Sequence, residues 1–394
     1  MRIYGRMVVA MDRVNGSIDR LFDACYDHCM SERKKGKATE PLSNISENTG
    51  WGGIAATHEI ILLAVLYLGI LVIAHYLGVV WAAVSLAAAL AVSWKILYRL
   101  LRKLLWEQWI KINKESRVPD ARLGGFDWRP LFVFGLAALV LTSNNDFGHR
   151  RHFRYFATRI TAKNEDAKLL EGADLKNSAS HRGVQKVYRK RVMEPLGDWW
   201  LLAEFGYWSL WRVFGFLILP ALIILMIPGE KLADYGLSLG RTRDGLKLSA
   251  ILFAVMFAAV FMVSFHPSFL FHYPFPWTRS APPGGVPGRF LFVWALMYAA
   301  QFVALEFFFR GFMLHGLKKS MGAYSIFAML VPYVMIHFGK PIPETLGSFA
   351  AGMVLGTMAL AYRSIWCGVM IHVAVAWTMD ILAIFHKDMM PGGW

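Results

Sequence analysis

The chain has 394 residues, 56% of them hydrophobic, with 42 Lys and Arg against 27 Asp and Glu and a formal net charge of +15. Its mean hydropathy of +0.41 is too high for an ordinary soluble protein and fits a polytopic membrane protein with soluble parts. In such a chain surplus Lys and Arg belong to loops beside anionic headgroups, so nucleic-acid binding is not expected; Cys25, Cys29 and Cys367 give no disulfide framework.

Residues 1–56 read as a mixed-charge soluble segment. An amphipathic helix is predicted from about Met7 to Cys29, with Ile18, Leu21, Phe22, Cys25 and Cys29 on its apolar stripe, followed by a polar linker. Ile60 to Trp94 carries no charge and is too long for one span of roughly 20 residues. It divides near His75, giving a transmembrane hairpin at 57–97.

Region 98–207 is basic. Arg99, Arg102, Lys103, Lys111 and Lys114 beside Trp106 and Trp109 predict a helix lying along the membrane surface. Leu131–Leu141 reads as a short non-spanning piece, and Arg150–Arg191 as a soluble insertion. Residues 208–394 form a second membrane block. Its predicted spans are Val213–Ile227 (flanked by Trp208, Trp211 and Arg212 at one interface), Leu248–Phe265, Phe290–Phe309, Tyr324–Phe338, Leu346–Ala361 and Ile365 to about Phe385. The expected fold is thus all-α, a polytopic transmembrane bundle of about eight spans with a basic, partly helical soluble insertion. The basic region favours the cytoplasm, and this span count then places both termini inside; a ninth span at Leu131–Leu141 would instead put the basic insertion outside.

Glu306 and Arg310 interrupt an otherwise uncharged run from Phe290 to Phe309. A charge at a helix centre in lipid costs roughly 2.5–3.5 kcal/mol on insertion scales and persists where it is paired or used. The i, i+4 spacing puts both on one helix face. His337 and His372 follow, each in its own apolar segment. With a turn at Ser320–Gly322, Glu306 lies roughly 20 Å and His337 roughly 24 Å below it; His372 lies roughly 13 Å beyond a turn at Tyr362–Ser364. One shared cavity is therefore permitted.

The chemistry this set can perform is hydrolysis. A carboxylate activates water, a histidine relays a proton or polarises a carbonyl oxygen, and Arg310 holds Glu306 ionised. No cofactor is required for that route. Alternatively Glu306, His337 and His372 form a zinc set, two histidines and one carboxylate. Glu344 begins the following helix and either caps it or orients a histidine. The plain alternative for Glu306 and Arg310 is a structural ion pair.

Glu306-x3-Arg310-Gly311, Tyr333-x3-His337, and His372 after a Gly352-x3-Gly356 helix resemble the CAAX-protease and bacteriocin-processing (Abi) family of intramembrane proteases. Its pattern is Glu-Glu-x3-Arg, Phe-x3-His and His-x3-Asn on successive helices. The resemblance covers about residues 210–385. It implies a helical-bundle endopeptidase acting on a peptide or protein substrate, with a site opening to one membrane face. The first Glu would be the general base, the second Glu and the Arg its support, and the histidines partners of water and oxyanion. Leu305 stands at the position of the first Glu, and Ala376 at that of the Asn. Either Glu306 takes over as base, or Glu344 or Asp380 does, or the chain does not cleave. The rival readings are a catalytically inactive scaffold or sensor on the same fold, binding a partner through 98–207, and a transporter using the charges as a proton relay. The expected location is the bilayer of a bacterial cytoplasmic membrane.

Overall fold

A computed structural model describes residues 89, 93, 96, 98–116, 127–277 and 285–389. The predicted helix Met7–Cys29, the Cys25 and Cys29 positions and nearly all of the hairpin at 57–97 lie outside these residues. Among the described residues every regular element is helical.

The basic segment after residue 98 is helical, as its pattern predicts. A π-helical turn, Arg102–Trp106, leads into α1, Glu107–Glu115. Trp106 and Ile110 are exposed, while Leu105 and Ile112 are buried. Trp109 Nε1 donates to Thr357 Oγ1 at 3.0 Å, and Asn113 Oδ1 accepts from the Ala323 backbone at 2.6 Å. Asn113 thereby takes up a free N–H at a helix start that would otherwise lack a partner.

Helix α2, Trp128–Asp146, is capped by Asp127, which accepts from the Arg129 N–H at 3.1 Å. It is longer than the apolar run Leu131–Leu141 suggests. It bends by 60° into α3, Arg150–Thr161, so that the pair is a broken span or a re-entrant loop. Between α3 and the next long helix, the Lys163 N–H and then the Arg191 guanidinium hold the Asp166 carboxyl below its usual range.

Helix α4, Arg182–Met226, is 45 residues long. Gly197, with φ of 53°, interrupts it. Near its middle, Glu204 is fully buried and accepts a fork from Arg154 (2.6 and 2.9 Å) and the Tyr188 hydroxyl (2.9 Å). This charge-assisted network ties α3 to α4. Gly215 admits α2: a Cβ there would meet Asn144 Nδ2 at 2.2 Å. A π-helical turn at Phe214–Ile218 precedes Pro220, where the missing N–H breaks the regular ladder.

Helices α5 (Thr242–Val263), α6 (Pro267–His272), α7 (Gly288–Met321), α8 (Tyr324–Met335), α9 (Ile342–Tyr362) and α10 (Trp366–His386) complete the bundle. Helix α7 is its axis, with Phe307, Phe308 and Phe309 all fully buried. The Gly352-x3-Gly356 stripe is a close helix contact, as expected. A Cβ at Gly352 would lie 2.3 Å from Leu330 Cδ1, and one at Gly356 would lie 3.2 Å from Met329 Cε.

Among the described residues five helices are long and apolar enough to cross a membrane (α4, α5, α7, α9, α10), or six if the bent pair is one span. The predicted span Tyr324–Phe338 is corrected: α8 has 12 residues, about 18 Å against a hydrocarbon core of about 30 Å. Pro332 lies inside it, and the chain turns at Ile336–Lys340 with Gly339 at φ 87°. The apolar run continues to Phe338, but the helix does not. The figure of about eight spans is therefore not reached by the described helices.

Candidate active site

Helix α7 changes character at the site. Regular α-helix runs to Glu306, and Phe307–His315 is π-helical. Widened turns of this kind recur at functional sites. Glu306 and Arg310 are both fully buried, and Arg310 NH1 lies 3.2 Å from Glu306 Oε1. The guanidinium carbon also sits 3.9 Å above the Tyr333 ring, a cation–π contact in a dry setting. The ion pair read from the spacing is present, and its charge is held from two sides.

From α10, His372 closes on the same carboxylate. Its Nδ1 lies 2.5 Å from Glu306 Oε1, its Nε2 lies 3.0 Å from the Tyr333 hydroxyl, and its ring stacks on Phe302 at 5.3 Å. An ionised Glu306 takes the proton on Nδ1, which leaves Nε2 as an acceptor for the Tyr333 O–H. The His372 side chain is 17% exposed where those of Glu306 and Arg310 are 0%. The charge pair is thus the blind end of the line, and the histidine is its accessible end.

His337 lies just past α8, half-buried. Its Nδ1 donates to the Tyr333 carbonyl at 2.9 Å, which leaves Nε2 as a bare acceptor. Its turn is pinned by Thr345 Oγ1, which donates to the His337 carbonyl at 2.9 Å. Tyr333 therefore joins the parts: it touches Arg310 by its ring face, His372 by its hydroxyl and His337 by its carbonyl. In the sequence Tyr333 is only the first position of the Tyr333-x3-His337 motif, and its hydroxyl carries no role until these partners are seen.

Other predicted residues fall elsewhere. Glu344 accepts Lys340 Nζ at 2.5 Å and the Tyr273 hydroxyl at 2.9 Å, and orients no histidine. Asp380 is buried and accepts the Phe275 N–H and Trp294 Nε1, each at 2.8 Å; both oxygens pin neighbouring segments. Both oxygens of each carboxylate are thus already engaged. Leu305 and Ala376 are both packed in apolar clusters. The zinc alternative is not supported by the donor set. Among the described residues no three His, Cys, Asp or Glu side chains converge as a metal group. His372 already uses both ring nitrogens.

Gly368 completes the site by omission. A Cβ there would lie 2.3 Å from Glu306 Oε2, an oxygen that is buried and accepts no hydrogen bond. Only glycine leaves room for the carboxylate in this position.

Comparison with curated proteins and with solved structures gave no match. Comparison with protein families gave one over residues 287–378: type II CAAX prenyl endopeptidase Rce1-like. That segment contains Glu306, Arg310, Tyr333, His337, Gly368 and His372, whereas α1 to α6 lie outside it. Residues 287–378, on which the motifs of the CAAX-protease and bacteriocin-processing family fall, are thus similar to the Rce1-like family.

Proposed function

We propose that the chain is a membrane-embedded endopeptidase that cleaves prenylated C-terminal peptides by an activated water. The observation that carries this reading is the Glu306–His372 contact at 2.5 Å, backed by Arg310 in a fully buried setting. A carboxylate aligned on a histidine whose far nitrogen holds a phenol is a proton-handling device.

Glu306 acts here as the supporting carboxylate, not as the base, because its side chain is 0% exposed. The bare Nε2 of His337 takes a proton from the attacking water. The hydroxide adds to the scissile carbonyl carbon, and the same histidine returns the proton to the leaving amine. The Tyr333 hydroxyl turns its one proton from His372 Nε2 to the developing oxyanion, where Ala376 offers no donor.

Glu306→Gln, His337→Ala and His372→Ala are each expected to abolish processing while the protein still inserts. Normal processing by all three variants would refute the reading. Tyr333→Phe keeps the ring and its stack on Arg310. It is expected to lower kcat about 10²-fold, the range for loss of one oxyanion donor, with melting temperature and KM little changed. An unchanged kcat would remove Tyr333 from the chemistry.

A second reading is favoured by Leu305 and Ala376, both buried among apolar side chains. On it the chain is a scaffold or sensor that binds its partner through region 98–207. Processing would then be absent in the wild type, and loss of function would follow substitutions in 98–207 and not those at Glu306.

A further inference from the structure

The connection from α5 to α7 turns back across the end of the bundle. Its residues 264–277 comprise α6 and an irregular stretch after it. Phe269, Tyr273 and Trp277 are buried. Phe269 and Tyr273 share an apolar cluster with Ala383 of α10, and Met379 and Leu382 pack beside it. Connections ordinarily run over the surface, whereas this one is fastened at three places.

Two of the fastenings are on α10. Ser264 Oγ lies 2.9 Å from His386 Nε2, and the Phe265 ring lies 4.4 Å from the same imidazole. Towards the other end, the Phe275 N–H donates to Asp380 Oδ1 at 2.8 Å, and Trp294 Nε1 holds the second oxygen. The third fastening is on α9: the Tyr273 hydroxyl donates to Glu344 Oε2 at 2.9 Å, and Lys340 Nζ holds Oε1. These sites differ in their access to water. Asp380 is 5% exposed, whereas the Glu344 and Lys340 side chains are 21% and 34% exposed. A hydrogen bond that water can replace is given up at small net cost, while stranding a buried one is expensive. The segment is therefore hinged on α10 and latched on α9.

Both histidines of the site stand beside these fastenings. Lys340 belongs to the turn that carries His337, and its N–H donates to the His337 carbonyl at 3.2 Å. His372 lies eight residues before Asp380, about 12 Å along α10. The Phe275 ring leads to it through Tyr298 at 6.0 Å and then Phe302, which stacks on His372 at 5.3 Å. Helices α9 and α10 meet further along, where Leu355, Met358 and Tyr362 pack with Cys367 and Ile371. In the first turns of α9, Ile342, Leu346 and Phe349 are exposed instead. Tyr273 bridges from its anchorage on α10 to this end of α9, across the gap between the helix that follows His337 and the helix that bears His372.

Resting on the peptidase reading above, we propose that residues 264–277 form a lid over the site, hinged on α10 and latched to α9 by the Tyr273–Glu344 hydrogen bond, and that its release admits the peptide substrate between α9 and α10. The structure shows the latched form. Tyr273→Phe removes the hydroxyl and keeps the ring. Losing one hydrogen bond to a charged acceptor shifts a two-state equilibrium about tenfold, and apparent affinity follows the fraction that is open. KM is thus expected to fall about tenfold, with kcat little changed.

The test uses the full chain in nanodiscs and a fluorescent prenyl-cysteine peptide. Besides Tyr273→Phe it needs a lockable variant, Tyr273→Cys/Glu344→Cys in a Cys25→Ser/Cys29→Ser background, where the remaining Cys367 is buried. A bis-methanethiosulfonate linker spanning the Tyr273–Glu344 reach closes the latch covalently. Processing is expected to stop on linking and to return on reduction. Processing that continues in the linked protein, or that does not return on reduction, overturns the lid, as does an unchanged KM in Tyr273→Phe. Hydrogen–deuterium exchange separates release from unfolding: amides of 267–277 should exchange faster in Tyr273→Phe while those of 366–377 keep their rate. If both segments exchange faster, the fold is disturbed and the lockable variant decides. If the wild type does not cleave the peptide, the peptidase reading fails and fluorescence anisotropy decides this one. Faster association in Tyr273→Phe that linking blocks sustains the lid, and equal association overturns it.

Discussion

Glu306→Ala is expected to destabilise the protein by about 3–5 kcal/mol, because it strands a buried guanidinium. Arg310 is 0% exposed, and its compensation is the Glu306 carboxylate and the Tyr333 ring. The double variant Glu306→Leu/Arg310→Leu removes both charges at similar volume. It is expected to regain that stability, or to exceed the wild type by about 1–4 kcal/mol. Processing should be lost in both variants. Melting temperature in one detergent and peptide cleavage, measured on the same samples, separate the two roles. If the double variant stays unstable, the pair is held by more than charge balance. If it is stable and still cleaves, the pair is only structural.

Gly368→Ala should be the most damaging small substitution in the site. Its Cβ would lie 2.3 Å from Glu306 Oε2, far inside contact distance. Neither group yields freely: Gly368 is within α10, and the carboxylate is bound to His372 and paired with Arg310. Overpacking of this kind costs about 1–3 kcal/mol. A displacement of about 1 Å at a catalytic group costs about 10²-fold in rate. The expected result is therefore a modest fall in melting temperature with a large fall in kcat. Gly368→Ala/Glu306→Asp, whose carboxylate is one methylene shorter, should recover part of the activity. A kcat unchanged in Gly368→Ala would show that Glu306 is not seated against that residue.

Much of the site was legible because charges in apolar runs are costly and so carry information. Glu306, Arg310 and His372 stood out for that reason, and they do meet. Tyr333 did not, since a phenol in an apolar run is indistinguishable from packing until its hydroxyl finds a partner. Gly368 was unreadable because its role is a missing Cβ, which only the facing carboxylate reveals. Glu344 and Asp380 showed the right chemistry at the wrong address; donors on other elements had already claimed them.

The fold was legible as a class and less so in its segments. The membrane helices follow from uncharged runs, but hydropathy cannot see where a helix stops. Ile336 to Phe338 extend the apolar run past the end of α8. The widened stretch Phe307–His315 left no periodic trace either. Eight consecutive residues from Phe307 to Leu314 are buried, so no 3.6-residue stripe exists to read.

The placement of Glu306 and Arg310 one turn apart on the same helix has a consequence for biogenesis. Their neutralisation is complete within α7 alone, so this segment can enter the bilayer as a zwitterion before any neighbour has docked. His372 and Tyr333 arrive later and find the acid already ionised. Arg212 has no such provision, because the residues one turn away on either side are Trp208 and Phe216. Helix α4 therefore carries its charge uncancelled through assembly and into the finished protein.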